Sequence, residues 1–303
     1  MSLPLLALER LTSGPHAGFA ILRLEQPGKP VIVLDQELIQ RLDATIKSLP
    51  RDIRGLVLAS ASDRVFVAGA DLKAISEWDD AELLRYLEYA ASVFGLLPRL
   101  PFPTVAAING AALGGGLELA MHCDGVVAAP PPTRDGQPGK PYPVGLPECG
   151  LGLCPGWGGS NLLPARMDPA DAIRRTATGR ILTFEEAAQA GLFDRIAPSP
   201  EALIPTALAW LAEQRQGSRD RDGAPKRWIG RPDRAAAVLA ALQAASADLS
   251  RTEQGVAVCR AVQAGLTQGW ESAIAVERGE LVRLRHTPGA KQALAAFFAK
   301  GKK

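Results

Sequence analysis

Short apolar runs alternate with amphipathic stretches through the first half of the chain. The runs Phe19–Leu24, Gly55–Ser60 and Thr104–Asn109 have the length and apolar content of buried strands. Over 38–49 and 82–97, apolar residues recur every three to four positions, which predicts two amphipathic helices. Strands that alternate with helices over short connections predict an α/β protein.

The ends of several predicted helices carry recognisable start signals. Asp35 is the predicted N-cap of the first helix. Thr183 and Glu186 have the spacing of a capping box. The pair Ser199-Pro200 predicts the start of a further helix, which runs to about residue 214.

Two polar stretches interrupt this pattern and divide the chain. Residues 130–141 are rich in Pro and Gly and predict an exposed loop. Residues 206–232 include a stretch dense in Arg, Asp, Gly and Pro, and 233–303 is then almost wholly helical in pattern. The sequence therefore predicts an α/β core over 1–205, a linker over 206–232 and a helical C-terminal segment over 233–303.

Composition restricts the class of partner. The 303 residues are 47% hydrophobic, which is ample for a large core, and 34 basic against 32 acidic residues leave a net charge of +2. This balance argues against nucleic acid or a membrane surface as a partner. The longest weakly apolar stretch, Val105–Met121, is interrupted by Asn109 and Glu118. We interpret it as a buried strand, turn and helix of a soluble protein.

Cysteine and histidine usage bears on metal binding and on compartment. The four cysteines are scattered without metal-ligand spacing, and three histidines are too few for a His-rich metal site. Such cysteines are typical of free thiols in a reducing cytosol. The N-terminal apolar run Leu3–Leu8 is shorter than the roughly 7–15 residues of a secretion signal core. We therefore expect a cytoplasmic protein.

Two glycine-rich turns are candidates for chemistry. Gly114-Gly115-Gly116 opens a predicted helix, whose first-turn N–H groups have no internal partners. Because glycine also permits close approach, this turn can hold a developing oxyanion. The alternative is a tight turn that simply needs no side chains. In the second turn, within Phe66–Leu72, Asp71 could be an N-cap with no chemical duty.

Two glutamates follow glycine-rich or proline-containing turns. Glu118 lies about one turn into its helix, between Leu117 and Leu119, where desolvation raises a carboxyl pKa toward neutrality. Such a carboxyl suits a general acid or base, and a buried ion pair with an arginine is the alternative. Glu148 follows Pro147 in a predicted loop, and an ordinary surface glutamate is its alternative.

Two further patterns do not support a function. Gly150-x-Gly152 lacks the third glycine and the acidic residue of a dinucleotide site. The basic stretch 215–234 is interleaved with aspartates and has Trp228 as its sole aromatic residue. This composition is typical of a solvated linker rather than of an RNA-binding surface.

Four motifs occur in a distinctive order between about residues 15 and 205. They are Phe66-x-Ala68-Gly69-Ala70-Asp71-Leu72, Asn109-Gly110-x-Ala112-x-Gly114-Gly115-Gly116-x-Glu118-Leu119-Ala120, Leu146-Pro147-Glu148 and Leu151-Gly152-x-x-Pro155-Gly156-x-Gly158-Gly159. This order resembles the crotonase superfamily and, within it, the enoyl-CoA hydratases. The stretch from about residue 233 is similar, more loosely, to the segment that follows the hydratase half of multifunctional fatty-acid oxidation proteins.

The resemblance implies roles for individual residues. The backbone N–H groups of Ala70 and Gly115 would form an oxyanion hole for a thioester carbonyl, and Glu118 and Glu148 would be the two catalytic glutamates. The implied substrate-binding positions are Ala68, Asp71, Leu72 and Trp157. Hydratases have both glutamates, whereas the related double-bond isomerases typically keep only the one that matches Glu148. The pair therefore favours hydration, with isomerisation or another crotonase reaction as the alternative.

The resemblance also implies a fold and partners. It implies a crotonase-like spiral of ββα units with a helical C-terminal extension, and a homotrimer or a dimer of trimers. It implies an acyl-CoA substrate, with CoA as part of that substrate and no metal or redox cofactor. A scaffold or RNA-binding member of the fold is a further alternative, against which the glutamate pair argues. The chain departs from the family pattern in its longer loop at 130–141 and in Trp157, which is larger than the residue usual there.

Overall fold

The computed structural model describes residues 3–133, 137, 139–214 and 221–300. These residues form two compact units. Unit 1 takes its described residues from the ranges Met1–Gly69, Ser92–Val144 and Leu182–Lys226, and unit 2 from Ala70–Ala91, Gly145–Ile181 and Arg227–Lys303.

The described residues contain both strands and helices. The strands are β1 (Ala7–Arg10), β2 (Phe19–Leu24), β3 (Gly55–Ser60), β4 (Val65–Val67), β5 (Thr104–Ile108), β6 (Ala111–Leu113), β7 (Gly125–Ala128), β8 (Pro143–Gly145), β9 (Leu182–Thr183) and β10 (Arg195–Ile196). The α-helices are α1 (Gln36–Lys47), α2 (Leu72–Glu77), α3 (Asp80–Phe94), α4 (Gly115–His122), α5 (Gly159–Leu162), α6 (Pro169–Thr178), α7 (Phe184–Gln189), α8 (Leu203–Glu213), α9 (Pro232–Leu249), α10 (Glu253–Gln268), α11 (Trp270–Leu284) and α12 (Pro288–Lys300). The predicted mixed α/β class is confirmed.

Unit 1 is built on a six-stranded sheet in the order β1-β2-β3-β5-β7-β10. β1 is antiparallel to β2, and the other neighbours are parallel. Every residue of β3 and β5 is buried, which explains why their sequences are continuous apolar runs rather than alternating ones.

One helix covers a face of this sheet. The apolar side chains of α8, including Leu208, Trp210 and Leu211, pack against residues of four strands: Phe19, Ile21, Val57, Ala59, Val105, Ala107 and Val127. Trp210 lies so close to β7 that a Cβ on Gly125 would be 2.4 Å from its ring. A glycine at position 125 therefore allows the helix to approach the sheet.

A second sheet, in the order β4-β6-β8-β9, positions the glycine-rich turns. β4 and β6 are parallel, with Val65 opposite Ala111 and Val67 opposite Ala112. Because parallel strands end at the same edge of a sheet, the segments that follow Val67 and Leu113 emerge side by side.

Unit 2 contains the C-terminal helices, and the prediction that 233–303 is helical is confirmed for its described residues. α10 packs against α9 and α11, and α9 also packs against α6. In the part of the chain that is described, no helix combines the length and the apolar character needed to cross a bilayer.

The helix signals have mixed outcomes. Asp35 caps α1 by accepting from the N–H of Leu38, and Thr183 forms the predicted capping box with Glu186. α8, however, begins at Leu203 rather than at Pro200. The hydroxyl of Ser199 donates to the Glu201 carboxylate, so it does not cap the helix.

The predicted polar stretches are only partly described. Residues 134–136 and 138 of the predicted loop, and 215–220 of the predicted linker, lie outside the described residues. The described loop residues Pro132, Thr133, Lys140 and Pro141 are exposed, as predicted. The division at residues 205 and 232 stays a prediction.

Candidate active site

The two glycine-rich turns approach each other closely in unit 1. Gly69 follows β4 with φ +115°, and Gly114 follows β6 with φ 51°. A Cβ on Gly69 would lie 3.3 Å from the carbonyl oxygen of Leu113. Both backbones therefore adopt conformations that favour glycine, and the close approach requires a small residue.

The start of α4 exposes backbone donors in a buried place. Gly115 is the first residue of this helix, so its N–H has no carbonyl acceptor one turn earlier in the helix. All eight residues of α4 are buried. A donor held in this way, shielded from water, is suited to stabilise negative charge on a substrate oxygen. Ala70, the second predicted donor, directly follows Gly69 and is half-buried.

Glu118 lies inside unit 1. Its residue is 1% exposed, and its N–H donates to the Gly114 carbonyl at 3.0 Å. Nδ1 of His122, one turn later, lies 2.8 Å from the Glu118 carbonyl oxygen, and its ring meets Phe94 edge-on. The predicted burial of Glu118 is therefore confirmed, while its catalytic role stays a prediction.

Glu148 begins a short 3₁₀ turn, Glu148–Leu151, in unit 2. The residue is half-buried, but Oε2 is shielded from solvent and has no hydrogen-bond partner among the described residues. Burial raises the pKa of the Glu148 carboxyl to about 8, and the negative charge of Glu277 adds to the rise. The carboxyl is therefore protonated at neutral pH, which an ordinary surface glutamate would not be.

Sequence reasoning did not select Glu277, although the structure gives it a prominent place in unit 2. It lies on α11 and is 1% exposed. Its Oε2 accepts from the Gly158 N–H at 2.5 Å and its Oε1 from the Ser160 N–H at 2.8 Å. The available signal was weak: Glu277 directly follows the apolar run Ala273–Val276, but the charged residues Arg278 and Glu280 come next.

Comparison with known proteins decides the family. The sequence profile described as enoyl-CoA hydratase/isomerase matches residues 15–248. This chain belongs to the enoyl-CoA hydratase/isomerase family. The resemblance to the crotonase superfamily is thereby confirmed.

Solved structures with the same fold include both kinds of enzyme. Human mitochondrial delta3-delta2-enoyl-CoA isomerase is 23% identical, with 98% of each chain covered and a TM-score of 0.67. An enoyl-CoA hydratase from Bacillus anthracis is 23% identical, covering 97% of this chain and 96% of its own, with a TM-score of 0.59. A putative enoyl-CoA hydratase from Mycobacterium avium paratuberculosis K-10 is 20% identical, covering 98% of this chain and 97% of its own, with a TM-score of 0.65. At these identities the likeness shows a shared crotonase fold, as predicted.

Several of the predicted substrate-binding residues make local structural contacts in this member of the hydratase/isomerase family. Asp71 caps α2 by accepting from the N–H groups of Lys73 and Ala74. The N–H of Ala68 donates to the carbonyl oxygen of Ile32 at 2.8 Å. Leu72 is the first residue of α2 and is half-buried. Contact of these residues with substrate stays a prediction.

Trp157 is part of the interior of unit 2. It is 2% exposed, its indole N–H donates to the Leu87 carbonyl at 3.0 Å, and its ring meets Tyr86 edge-on. The large side chain thus packs against α3, and its role in substrate binding stays a prediction.

The predicted catalytic groups are divided between the units. Gly115 and Glu118 lie together on α4 of unit 1, whereas Ala70 and Glu148 belong to unit 2. That these four form one site is an expectation from the family resemblance.

Proposed function

We propose that this protein is an enoyl-CoA hydratase, which adds water across the double bond of trans-2-enoyl-CoA thioesters. The observation that carries the proposal is the presence of two glutamates at the motif positions, one of them with a shielded and protonated carboxyl. Hydration needs one group that takes a proton from water and one that supplies a proton to carbon.

The proposed oxyanion hole stabilises the charge that develops during addition. The thioester oxygen accepts hydrogen bonds from the N–H groups of Ala70 and Gly115. Negative charge builds on that oxygen as the nucleophile reaches Cβ, so donors fixed beforehand stabilise the transition state more than the substrate. Each donor of this kind is worth on the order of 3 kcal/mol.

Proton transfer is divided between the two glutamates. Glu118 orients a water molecule and takes its proton as the oxygen bonds to Cβ. Glu148 gives its proton to Cα, so that H and OH are added and the thioester is retained. After the addition Glu118 holds a proton and Glu148 is ionised. Exchange with solvent then removes the proton from Glu118 and returns one to Glu148, so that over the whole cycle one water molecule is consumed. Water supplies both added groups, and the proposed chemistry uses no metal or redox cofactor.

Isomerisation of a 3-enoyl-CoA is the second candidate. In that reaction Glu148 would begin as a base, taking a proton from C2 and returning it at C4. A carboxyl whose pKa is raised toward neutrality, as burial does here, can serve as a base or as an acid, so Glu148 alone is compatible with either reaction. The presence of Glu118 as a second proton-transfer group supports hydration over isomerisation.

The decisive experiment follows the conjugated thioester. Purified protein is mixed with crotonyl-CoA and with longer trans-2-enoyl-CoAs, and the ultraviolet absorbance of the conjugated thioester is recorded. We expect that absorbance to fall, with 3-hydroxyacyl-CoA as the product. With a 3-enoyl-CoA, formation of the conjugated product as the dominant activity would instead identify an isomerase.

The assembly and the compartment belong to the same proposal. We expect a homotrimer or a dimer of trimers in a cytoplasmic protein. Light scattering after size-exclusion chromatography measures the oligomeric state, and fractionation of source cells determines the compartment.

A further inference from the structure

Three C-terminal helices of unit 2 hold the segment between Glu148 and Ser160. From α10, the Gln254 side chain donates to the Gly152 carbonyl at 3.1 Å. From α12, Ala290 packs so closely that a Cβ on Gly152 would lie 2.5 Å from its Cα. From α11, Glu277 receives the hydrogen bonds described above. The position of the proposed proton donor therefore depends on helices far away in sequence.

The contact with α11 is made by both the backbone and the side chain of Glu277. The thiol of Cys154 donates to the Glu277 carbonyl at 3.6 Å. Each carboxylate oxygen accepts one backbone hydrogen bond, Oε2 from the N–H of Gly158 and Oε1 from the N–H of Ser160. Gly158 has φ +102°, and a Cβ there would lie 2.3 Å from the ring of Trp270. The turn at 158–160 is thus held against α11 by the Glu277 carboxylate and by the Trp270 ring.

The two carboxyl groups differ in their hydrogen-bond donors. Both oxygens of Glu277 accept backbone N–H groups, whereas Oε2 of Glu148 has no partner among the described residues. Donated hydrogen bonds favour the ionised form of a carboxyl group, and burial without donors favours the neutral form. Burial raises the pKa of both carboxyl groups, but at Glu277 the hydrogen bonds from Ser160 and Gly158 oppose that rise and favour the ionised form.

Other titratable groups nearby do not replace this charge. Burial, first of all, raises the pKa of the thiols of Cys149 and Cys154, so both stay neutral. Burial raises the pKa of Glu277, and the hydrogen bonds from Ser160 and Gly158 and the positive charge of Arg278 lower it. Glu280, one turn further along α11, is paired with Arg260 and Arg283.

We propose that Glu277 is a positioning residue for Glu148, holding the 158–160 turn with its carboxylate and placing next to Glu148 a negative charge that keeps the proton on that side chain. This inference rests on the proposed function and deepens it. It assigns to the C-terminal segment a part in the proton-transfer step, although Glu277 itself touches no reacting atom.

The test compares Glu277→Gln with Glu280→Gln as a matched control. Both variants remove a carboxylate from α11, but only Glu277 is hydrogen-bonded to the 158–160 turn. Protein labelled with [13Cδ]glutamate is titrated by 13C NMR, and Glu148→Gln identifies the Glu148 signal. We expect the Glu148 midpoint to fall by on the order of one pH unit in Glu277→Gln and to stay unchanged in Glu280→Gln.

Steady-state kinetics with crotonyl-CoA provide the second readout. We expect kcat of Glu277→Gln to fall roughly ten- to hundredfold with little change in KM, because the proton donor is misplaced while substrate contacts remain. The alkaline limb of the kcat profile should move to lower pH together with the NMR midpoint. A general loss of packing would lower activity without moving either one.

The outcomes separate the inference from the proposed function. If the wild-type protein had no activity on any enoyl-CoA, the proposed function would be wrong. The NMR midpoints would still show whether Glu277 affects the titration of Glu148. An unchanged Glu148 midpoint in folded Glu277→Gln would overturn the inference. If that variant does not fold, Glu277→Asp takes its place, since a shorter carboxylate cannot reach both N–H groups. An unchanged midpoint and kcat in Glu277→Asp would likewise overturn it.

Discussion

Gly116 packs directly onto the end of the strand that carries Val67. A Cβ at position 116 would lie 2.4 Å from the Val67 carbonyl oxygen and 2.7 Å from its Cβ. Neither atom can move without disturbing β4, which also leads into the Gly69 turn. The close packing of α4 against β4 therefore depends on a glycine at position 116. This packing in turn determines where the Gly115 N–H lies.

Substitution of Gly116 by alanine tests this packing. We expect Gly116→Ala to lower the free energy of unfolding by about 1–3 kcal/mol, the usual cost of overpacking a close contact. Hydration activity should fall as well, because the oxyanion donor shifts. Urea unfolding measures the first effect. Gly279→Ala is the matched control: it lies in α11 with open space around it, so we expect a gain of about 0.5–1 kcal/mol.

The two glutamates should each be required for hydration. We expect Glu118→Gln and Glu148→Gln each to lower kcat by about 10²–10⁴ with similar KM, since each removes a proton-transfer group. Steady-state kinetics with crotonyl-CoA measure this effect, and Glu37→Gln, on the exposed first turn of α1, is the control. Activity within twofold of wild type in either glutamine variant would show that the role assigned to that residue is wrong.

The buried carboxyl of Glu148 should make stability depend on pH. Its pKa is raised from the usual 4.5, mainly by burial, so the folded state binds more protons than the unfolded state between about 4.5 and 8. The free energy of unfolding should therefore decrease as pH rises through this window. Urea unfolding at intervals from pH 5 to pH 8 measures the slope. Glu148→Gln, which cannot titrate, should show a shallower decrease, and an identical slope would contradict the assignment.

A buried ion pair in unit 1 should contribute strongly to stability. Arg221 forms two hydrogen bonds with Asp124, at 3.1 and 2.9 Å, and also donates to the carbonyls of Pro98 and Phe102. We expect Arg221→Ala to cost about 3–5 kcal/mol, because the Asp124 charge would remain buried. Thermal and urea unfolding measure this cost.

The control for that ion pair is a surface pair. Lys47 contacts Asp43 at 2.8 Å, but its side chain is 62% exposed. We expect Lys47→Ala to change the free energy of unfolding by less than about 0.5 kcal/mol. Equal effects of the two alanine variants would mean that burial does not strengthen the Arg221 pair.

Local sequence features predicted the elements well where neighbouring residues decide the outcome. The strands at Phe19–Leu24 and Gly55–Ser60 have the predicted bounds, and Asp35 caps its helix. The predicted helix at 82–97 is observed as α3, Asp80–Phe94, so its ends differ by a few residues. Helix ends are set by local competition for hydrogen bonds, as Ser199 and Glu201 show before α8.

The candidate site was predicted less completely, because shielding depends on distant parts of the chain. The burial of Glu118 follows from its apolar neighbours on α4. The shielding of the Glu148 carboxyl oxygen could not be predicted from its neighbours Pro147 and Cys149, since both residues also occur in surface loops. Glu277 reaches Gly158 across 119 positions of sequence, and no local pattern encodes that distance.

The sequence by itself determined the α/β class, the helical C-terminal segment, the glycine-rich turns and the presence of two glutamates in family motifs. These features depend on residue type and short spacing, which a sequence displays directly. Only the tertiary structure decided that Gly69 lies against Leu113, that Oε2 of Glu148 is shielded, and that Glu277 binds the N–H groups of Gly158 and Ser160. The reason is physical: the free energy of a charge depends on the atoms that surround it, and folding brings those atoms from far along the chain.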